Sequence, residues 1–170
     1  GWFAASTGGS AISFPYTHSQ TADFTLYAQW SVNTYVVSFD GNGSTGGSVP
    51  VNQTKTHGVN LTLASNSGSL VKTGYTFGGW NTHADGSGTS FLEGATYEVD
   101  GSLSLLAVWV GDALTVTYDS QSGSAVSAGS TTSGGVIASA PVAPTRTGYV
   151  FTGWFAASTG GSAISFPYTH

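Results

Sequence analysis

Apolar residues alternate with polar ones at the two-residue period of a β-strand in several short segments. In residues 114–118, Leu114, Val116 and Tyr118 alternate with two threonines, and residues 35–39 have the same period. Both segments run into turns rich in Asp, Gly, Asn or Ser, which are residue types that favour chain reversal. No segment shows a strong helical period, so the pattern predicts a mostly β protein.

Two further blocks predict strands. At residues 75–80 and 149–154 a Tyr and a Phe share one face of a strand, whereas the Trp that follows points to the other face. The segments TLYAQW (25–30) and SLLAVW (104–109) each place Leu, Ala and Trp on one face. These blocks therefore supply the aromatic side of a predicted sheet.

Three segments are less regular. Residues 59–65 predict one more strand, because Val, Leu and Leu alternate there with polar residues. Pro141 and Pro144 interrupt the corresponding part of the other unit and predict an extended segment outside any sheet. Between Trp80 and Leu105 a single turn of helix remains an alternative to strand.

The blocks recur in the same order, so the chain holds related units. The first eighteen residues, Gly1 to His18, are also identical to Gly153 to His170. A fixed period of this kind is typical of repeat proteins. We interpret the chain as a section of a longer periodic polypeptide, in which residues 1–33 are the C-terminal part of one repeat, 34–112 a complete repeat and 113–170 the N-terminal part of another.

The connections between units are short. Four residues separate Trp30 from Tyr35, and four separate Trp109 from Leu114. Neither connection has the Gly/Ser or Pro-rich composition of a spacer. We therefore expect neighbouring units to be coupled in orientation, as an end-to-end array.

The aromatic residues of the repeated blocks are the predicted structural core, because they recur at strand spacing among polar residues. Exposed aromatic rings that stack on sugars are the alternative. The core prediction covers the following residues: Trp30, Tyr75, Phe77, Trp80, Trp109, Tyr149, Phe151 and Trp154.

Composition and charge narrow the class of protein. Charged residues are 6% of the chain, the net charge is −5, and Lys55, Lys72 and Arg146 are its only fixed cations. Such a surface repels phosphate, which argues against a nucleic-acid partner. There is no cysteine, and no apolar run is long enough to span a bilayer. This composition suits an extracellular β protein.

The sequence has no constellation that indicates catalysis or a cofactor. The histidines lie in separate blocks, and no G-x-S-x-G motif accompanies the serines. The acidic residues Asp85, Glu93, Glu98 and Asp100 lack the spacing of a calcium loop and are interpreted as solvated loop residues. An intramolecular Lys–Asn crosslink, which would need Lys55 or Lys72 beside a buried carboxylate, is an alternative interpretation of these lysines. We predict no enzyme activity, no metal and no cofactor.

Taken together, the blocks resemble the internalin B-repeat, or Listeria–Bacteroides repeat, of bacterial surface proteins. Residues 34–109 depart from that pattern, with Ser69 to Val71 in place of its proline, and Leu106 and Val108 in the closing motif. Residues 113–170 followed by 19–30 match it well. The matching residues are Thr115, Tyr118, Pro144, Gly148, Tyr149, Phe151, Gly153, Trp154, Leu26, Tyr27, Ala28 and Trp30.

The resemblance implies a small β-grasp-like domain that occurs in tandem on the cell surface, with no catalytic residues to transfer. The resulting hypothesis is a structural segment that forms a stalk, fibre or filament. Its partners would be neighbouring copies of the repeat, or other chains joined by β-strand addition. The alternative is an adhesin module that binds a host protein or a glycan.

Overall fold

The computed structural model describes all 170 residues and contains thirteen β-strands and no helix. The mostly β prediction is therefore confirmed. In chain order the strands are β1 (Trp2–Phe3), β2 (Tyr27–Ala28), β3 (Thr34–Asp40), β4 (Gln53–Thr56), β5 (Leu61–Thr62), β6 (Tyr75–Asn81), β7 (Ser90–Phe91), β8 (Thr96–Tyr97), β9 (Leu103–Gly111), β10 (Ala113–Val116), β11 (Gly129–Thr132), β12 (Val136–Ile137) and β13 (Tyr168–Thr169).

Residues 34–112, here called the central region, form one five-stranded sheet in the order β4-β3-β9-β6-β7. Strand β9 lies in the middle, parallel to β3 and antiparallel to β6. It is the longest strand, with nine residues, and it holds the two halves of the sheet together. Strands β5 and β8 pair separately.

The chain enters and leaves the central region at opposite ends of the sheet. Strand β3 begins at Thr34, and the parallel register pairs Val37 with Leu103 and Asp40 with Leu106. Strand β9 then continues to Gly111, well past the end of β3. Only Asp112 separates β9 from β10.

The core lies against β3, β6 and β9, where the alternation of the sequence puts apolar side chains on one face. Val37, Trp80, Leu105 and Ala107 are fully buried there. Loop and edge residues complete the core: Leu63, Leu70 and Tyr97.

Several predicted strands differ from the observed ones. The segment left open between Trp80 and Leu105 contains the short strands β7 and β8, and the predicted strand 59–65 is reduced to β5. Residues 138–148, which include Pro141 and Pro144, form no strand, as predicted.

The largest difference lies in residues 149–154. Their motif matches that of β6, yet the structure gives them no strand pairing. The physical reason is that β6 pairs along β9, whereas residues 113–170 contain no strand in the position of β9.

Candidate functional site

Trp80 is the centre of the aromatic cluster in the central region. Its ring meets Phe39 at 4.9 Å and Phe77 at 5.1 Å between centroids, both edge to face. Its indole Nε1 donates a hydrogen bond to the carbonyl of Ala64 at 3.0 Å. The side chain is therefore fully packed, and its only polar group has a hydrogen-bond partner.

Strand β9 is fastened to the turn that follows β3. Trp109 packs against Phe77 at 5.7 Å, and its Nε1 donates to the carbonyl of Gly41 at 3.0 Å. Asn42, in the left-handed region at φ 46°, donates from its side-chain amide to the carbonyl of Ala107 at 2.8 Å. The turn predicted after residues 35–39 thus supplies a hydrogen-bond donor, Asn42, and an acceptor, Gly41, to strand β9.

Residues 113–170, here called the C-terminal segment, form the same cluster without a central strand. Trp154 meets Tyr118 at 5.2 Å and Phe151 at 5.4 Å. Arg146 lies 4.0 Å over the ring of Tyr149, as Lys72 lies 4.9 Å over Tyr75 in the central region. Local structure in the two regions is therefore closely similar.

The turn of the C-terminal segment is also formed. The backbone N–H of Gln121, at φ 50°, donates to Asp119 at 2.9 Å, as Asn42 donates to Asp40 at 2.7 Å in the central region. The side-chain amide of Gln121 donates back to Asp119 at 3.2 Å. In the central region the equivalent amide reaches β9 instead.

A cavity of about 750 Å³ lies where the C-terminal segment lacks its central strand. Its lining includes Val116 and Tyr118 from one side and Tyr149, Phe151 and Trp154 from the other. The Nε1 of Trp154 is buried and has no hydrogen-bond partner. Residues 113–170 thus contain no strand between the two sides of this cavity.

The structure assigns different environments to the eight aromatic residues predicted as core. Phe77, Trp80 and Trp109 come together in the central region, and Tyr75 is half-buried at the end of β6. Trp154 is half-buried in the C-terminal segment.

The expected burial is not found at three residues: 92% of Trp30, 66% of Tyr149 and 41% of Phe151 is exposed. Tyr149 and Phe151 lack a strand in the position of β9, and Trp30 lies beyond the short ladder that β2 forms with β1.

An ion pair with one buried partner is the main feature that the sequence pattern did not reveal. The fully buried Lys55 lies 2.6 Å from Oδ1 of Asp100, and His57 lies 3.2 Å from Oδ2. The hydrogen bond from Lys55 lowers the pKa of Asp100, assisted by the backbone N–H of Gly58. Asp100 lies in an exposed loop, in line with the prediction, and is also the partner of the internal cation of Lys55.

The other predicted acidic residues do not gather into a site. Asp85 accepts from the hydroxyl and N–H of Ser87, which lower its pKa. Glu93 accepts from the N–H of Asn66, and Glu98 accepts from the side chain of Asn60. No group of three or more His, Asp or Glu side chains is arranged to hold a metal ion.

These features define an all-β repeat protein with one complete five-stranded sheet and a related C-terminal segment that lacks the central strand. The model of the Listeria-Bacteroides repeat domain family matches residues 1–29, 35–108 and 115–169. The chain belongs to this family. The family is typical of surface proteins and is not an enzyme family.

The chain is also similar to parts of several curated proteins. A protein named as a Gly-rich membrane protein of Evansella cellulosilytica is 36% identical over 162 residues, covering 91% of this chain and 18% of the relative. A second protein of that organism, also named as a membrane protein, is 39% identical over 110 residues, covering 64% of this chain and 16% of the relative. Internalin H of Listeria monocytogenes is 35% identical over 80 residues, covering 47% of this chain and 13% of the relative.

The chain thus spans less than a fifth of the length of each of these relatives. No solved structure matches it. The structure contains no helix with the length and apolar character needed to cross a membrane.

Proposed function

We propose that this chain is a structural repeat segment of a long, exported bacterial surface protein, in which β-grasp-like units follow one another end to end as a stalk or fibre. The position of the chain ends in the central region carries this proposal. Entry at Thr34 and exit at Gly111 lie at opposite ends of one sheet. Each unit therefore advances the chain instead of folding it back.

The contacts at Asp112 support a stiff joint between units. Its N–H donates to the carbonyl of Gly74 at 2.9 Å, and its carbonyl accepts from the N–H of Ser133 at 2.9 Å. Its carboxylate accepts from the hydroxyl of Thr76 at 2.8 Å. One residue thus links the beginning of β6 to the segment that follows β11.

Small-angle X-ray scattering of the monomeric chain tests the proposal. A compact chain of 170 residues has a radius of gyration of about 15 Å. Units of roughly 30 Å arranged end to end give a clearly larger value and a maximum dimension of about 65 Å. A radius of gyration near the compact value would contradict the end-to-end arrangement.

An adhesin role is the second candidate, and the exposed rings of Trp30 and Tyr149 are the observation in its favour. Both residues, however, correspond to packed or half-buried positions of the central region, Trp109 and Tyr75. Their exposure therefore coincides with an incomplete sheet. Binding of a glycan that persists when the C-terminal segment is supplied with a central strand would favour the adhesin.

A further inference from the structure

We infer that Asn42 is a deamidation site gated by the fold of the central region. The folded turn protects its side-chain amide, and separation of the turn from β9 exposes that amide to attack by the backbone nitrogen of Gly43. The aspartate or isoaspartate that forms cannot remake the contacts of the asparagine, so an opened sheet keeps a permanent chemical mark. The inference uses the central region alone and does not depend on the proposed stalk.

The sequence makes Asn42 the most reactive asparagine of the chain. It is followed by Gly43, whereas every other asparagine precedes Thr, Gln, Leu or Ser. Glycine has no Cβ, so its backbone nitrogen is unhindered and its backbone reaches conformations that are closed to other residues. Both properties favour attack of the backbone nitrogen on the preceding side chain.

The reaction needs only water as a second reactant. The backbone nitrogen of Gly43 bonds to Cγ of Asn42, the bond from Cγ to Nδ2 breaks, and the amide group leaves as ammonia with the proton of the Gly43 nitrogen. The product is a cyclic imide. Water then adds to one of the two imide carbonyls and opens the ring, which gives aspartate or isoaspartate at position 42.

The folded turn opposes the first of these steps. Nδ2 of Asn42 donates to the carbonyls of Ala84 and Ala107, each at 2.8 Å, so both hydrogens of the amide group are bonded. To reach Gly43, the side chain must turn back over its own backbone and break both bonds. Two hydrogen bonds of ordinary strength slow such a step by roughly 30-fold.

The two acceptors tie the reaction to the state of the sheet. Ala107 is fully buried in the middle of β9, and Ala84 lies in the loop that follows β6. Trp109 adds a further link from β9 to the same turn, because its Nε1 donates to the carbonyl of Gly41 at 3.0 Å. The side chain of Asn42 is therefore released only when the turn separates from these elements.

The product cannot restore the contact with β9. A carboxylate at neutral pH has acceptor atoms only, so its oxygens would face the carbonyl oxygens of Ala84 and Ala107 without a hydrogen between them. Isoaspartate also lengthens the main chain, within a turn in which Asn42 and Gly43 have φ values of 46° and 77°. The carbonyl of Ala107 is then left without its donor, which weakens the attachment of the turn to β9.

The C-terminal segment shows that the turn conformation does not require an Asn-Gly pair. Gln121 and Ser122 stand at the equivalent positions with φ values of 50° and 67°. A glutamine side chain is one carbon longer, and the Cβ of a serine hinders the attacking nitrogen. The reaction is therefore confined to the central region, and the equivalent turn supplies a substitution for its test.

Mass spectrometry of the full chain tests the site and its gate. The chain is incubated in mildly alkaline buffer with and without urea and then digested, and the replacement of –NH2 by –OH is measured at each asparagine. We expect Asn42 to react about 30-fold faster in urea than in the folded chain. Asn52, which precedes Gln53, is the internal control and should react far more slowly in urea. Equal rates for Asn42 in the two conditions, or no reaction in urea, would overturn the inference.

The variant Gly43→Ser tests the attacking group. A Cβ at Gly43 lies 3.6 Å from Nζ of Lys72, an ordinary contact, and Ser122 adopts the same turn conformation. We expect slower reaction of Asn42 in urea, because the added Cβ hinders the backbone nitrogen. A variant that reacts as fast as the parent chain would refute attack by this nitrogen.

Hydrogen exchange of the β9 amides tests whether the mark persists. Asn42→Asp reproduces one product, and Asn52→Asp is the control with the same charge change at an exposed residue. The β9 amides should exchange about 30-fold faster in Asn42→Asp and at the parent rate in Asn52→Asp. A chain that is deamidated in urea and refolded should behave as Asn42→Asp does.

Two outcomes decide this last comparison. Failure of Asn42→Asp to fold, when Asn52→Asp folds, is the extreme form of the expected loss. Parent-like protection of β9 in the deamidated and refolded chain would show that the sheet closes over the product, and it would contradict a permanent mark.

Discussion

The central region and the C-terminal segment carry the same aromatic motif, yet only the central region forms a five-stranded sheet. Tyr75, Phe77 and Trp80 lie on a seven-residue strand, whereas Tyr149, Phe151 and Trp154 lie outside any strand. Their turns and ring contacts are nearly the same. The comparison shows that the motif determines local packing, while strand formation depends on a partner strand between the two halves of the unit.

The largest expected difference concerns the two equivalent tryptophans. Trp80→Ala should lower the free energy of unfolding of the central region by about 3–5 kcal/mol, because it empties a fully packed site. Trp154→Ala should leave the central region almost unchanged. Hydrogen exchange of the β3 and β9 amides measures both. An equal loss in the two variants would contradict the separation of the two clusters.

Asn81 distinguishes the regions further, since it is fully buried and Phe155 stands at the equivalent position. Its amide donates to Gly86, Gly88 and Ser90, and its oxygen accepts from the N–H groups of His83 and Gly88. Asn81→Ala should cost roughly 2–3 kcal/mol, because several polar groups lose their partner. Thermal unfolding measures the loss, with Asn52→Ala as the control at an exposed asparagine.

The ion pair predicts a pH dependence confined to the central region. The pKa of Asp100 is lowered in the folded chain, so its contribution is complete above the unfolded pKa of about 4 and is lost as pH falls through the folded value. Asp100→Asn should lower the melting temperature at neutral pH and flatten its decline in acid. Glu98→Gln is the control, and equal acid sensitivity in Asp100→Asn and the parent would contradict the assignment.

The smallest expected difference concerns Gly74 and Gly148, which share a left-handed conformation at φ 78° and 80°. Alanine at Gly148 should cost about 1 kcal/mol from backbone strain alone, because open space surrounds it. Gly74→Ala should cost more, since a Cβ there would lie 2.8 Å from the hydroxyl of Ser133. Differential scanning calorimetry compares the two, and equal effects would argue against a close joint at Gly74.

The sequence predicted those elements whose partners lie within the same unit. Alternation at residues 35–39 and the aromatic motif at 75–80 identified β3, β6 and the burial of Trp80. The prediction that Trp80 points to the face opposite Phe77 is wrong, because a register shift between these two residues brings their rings to within 5.1 Å. The same pattern misplaced Trp30 and Tyr149, since alternation specifies a face but not the presence of a neighbouring strand.

Lys55 could not be identified as buried by the same reasoning. Its strand, Gln53–Thr56, is polar throughout, and polar strands normally face solvent. The partner Asp100 lies 45 positions further along the chain. Only the fold brings the two together, so neither periodicity nor local composition gives a signal for the pair.

The parallel pairing of β3 with β9 has a mechanical consequence for a stalk. Tension applied at Thr34 and at Gly111 pulls these two strands in opposite directions along their length. The hydrogen bonds between them are then loaded in shear, so that they resist rupture together instead of opening one after another. A surface protein built from such units would bear a pulling force along its axis through the strand pair at the middle of each sheet.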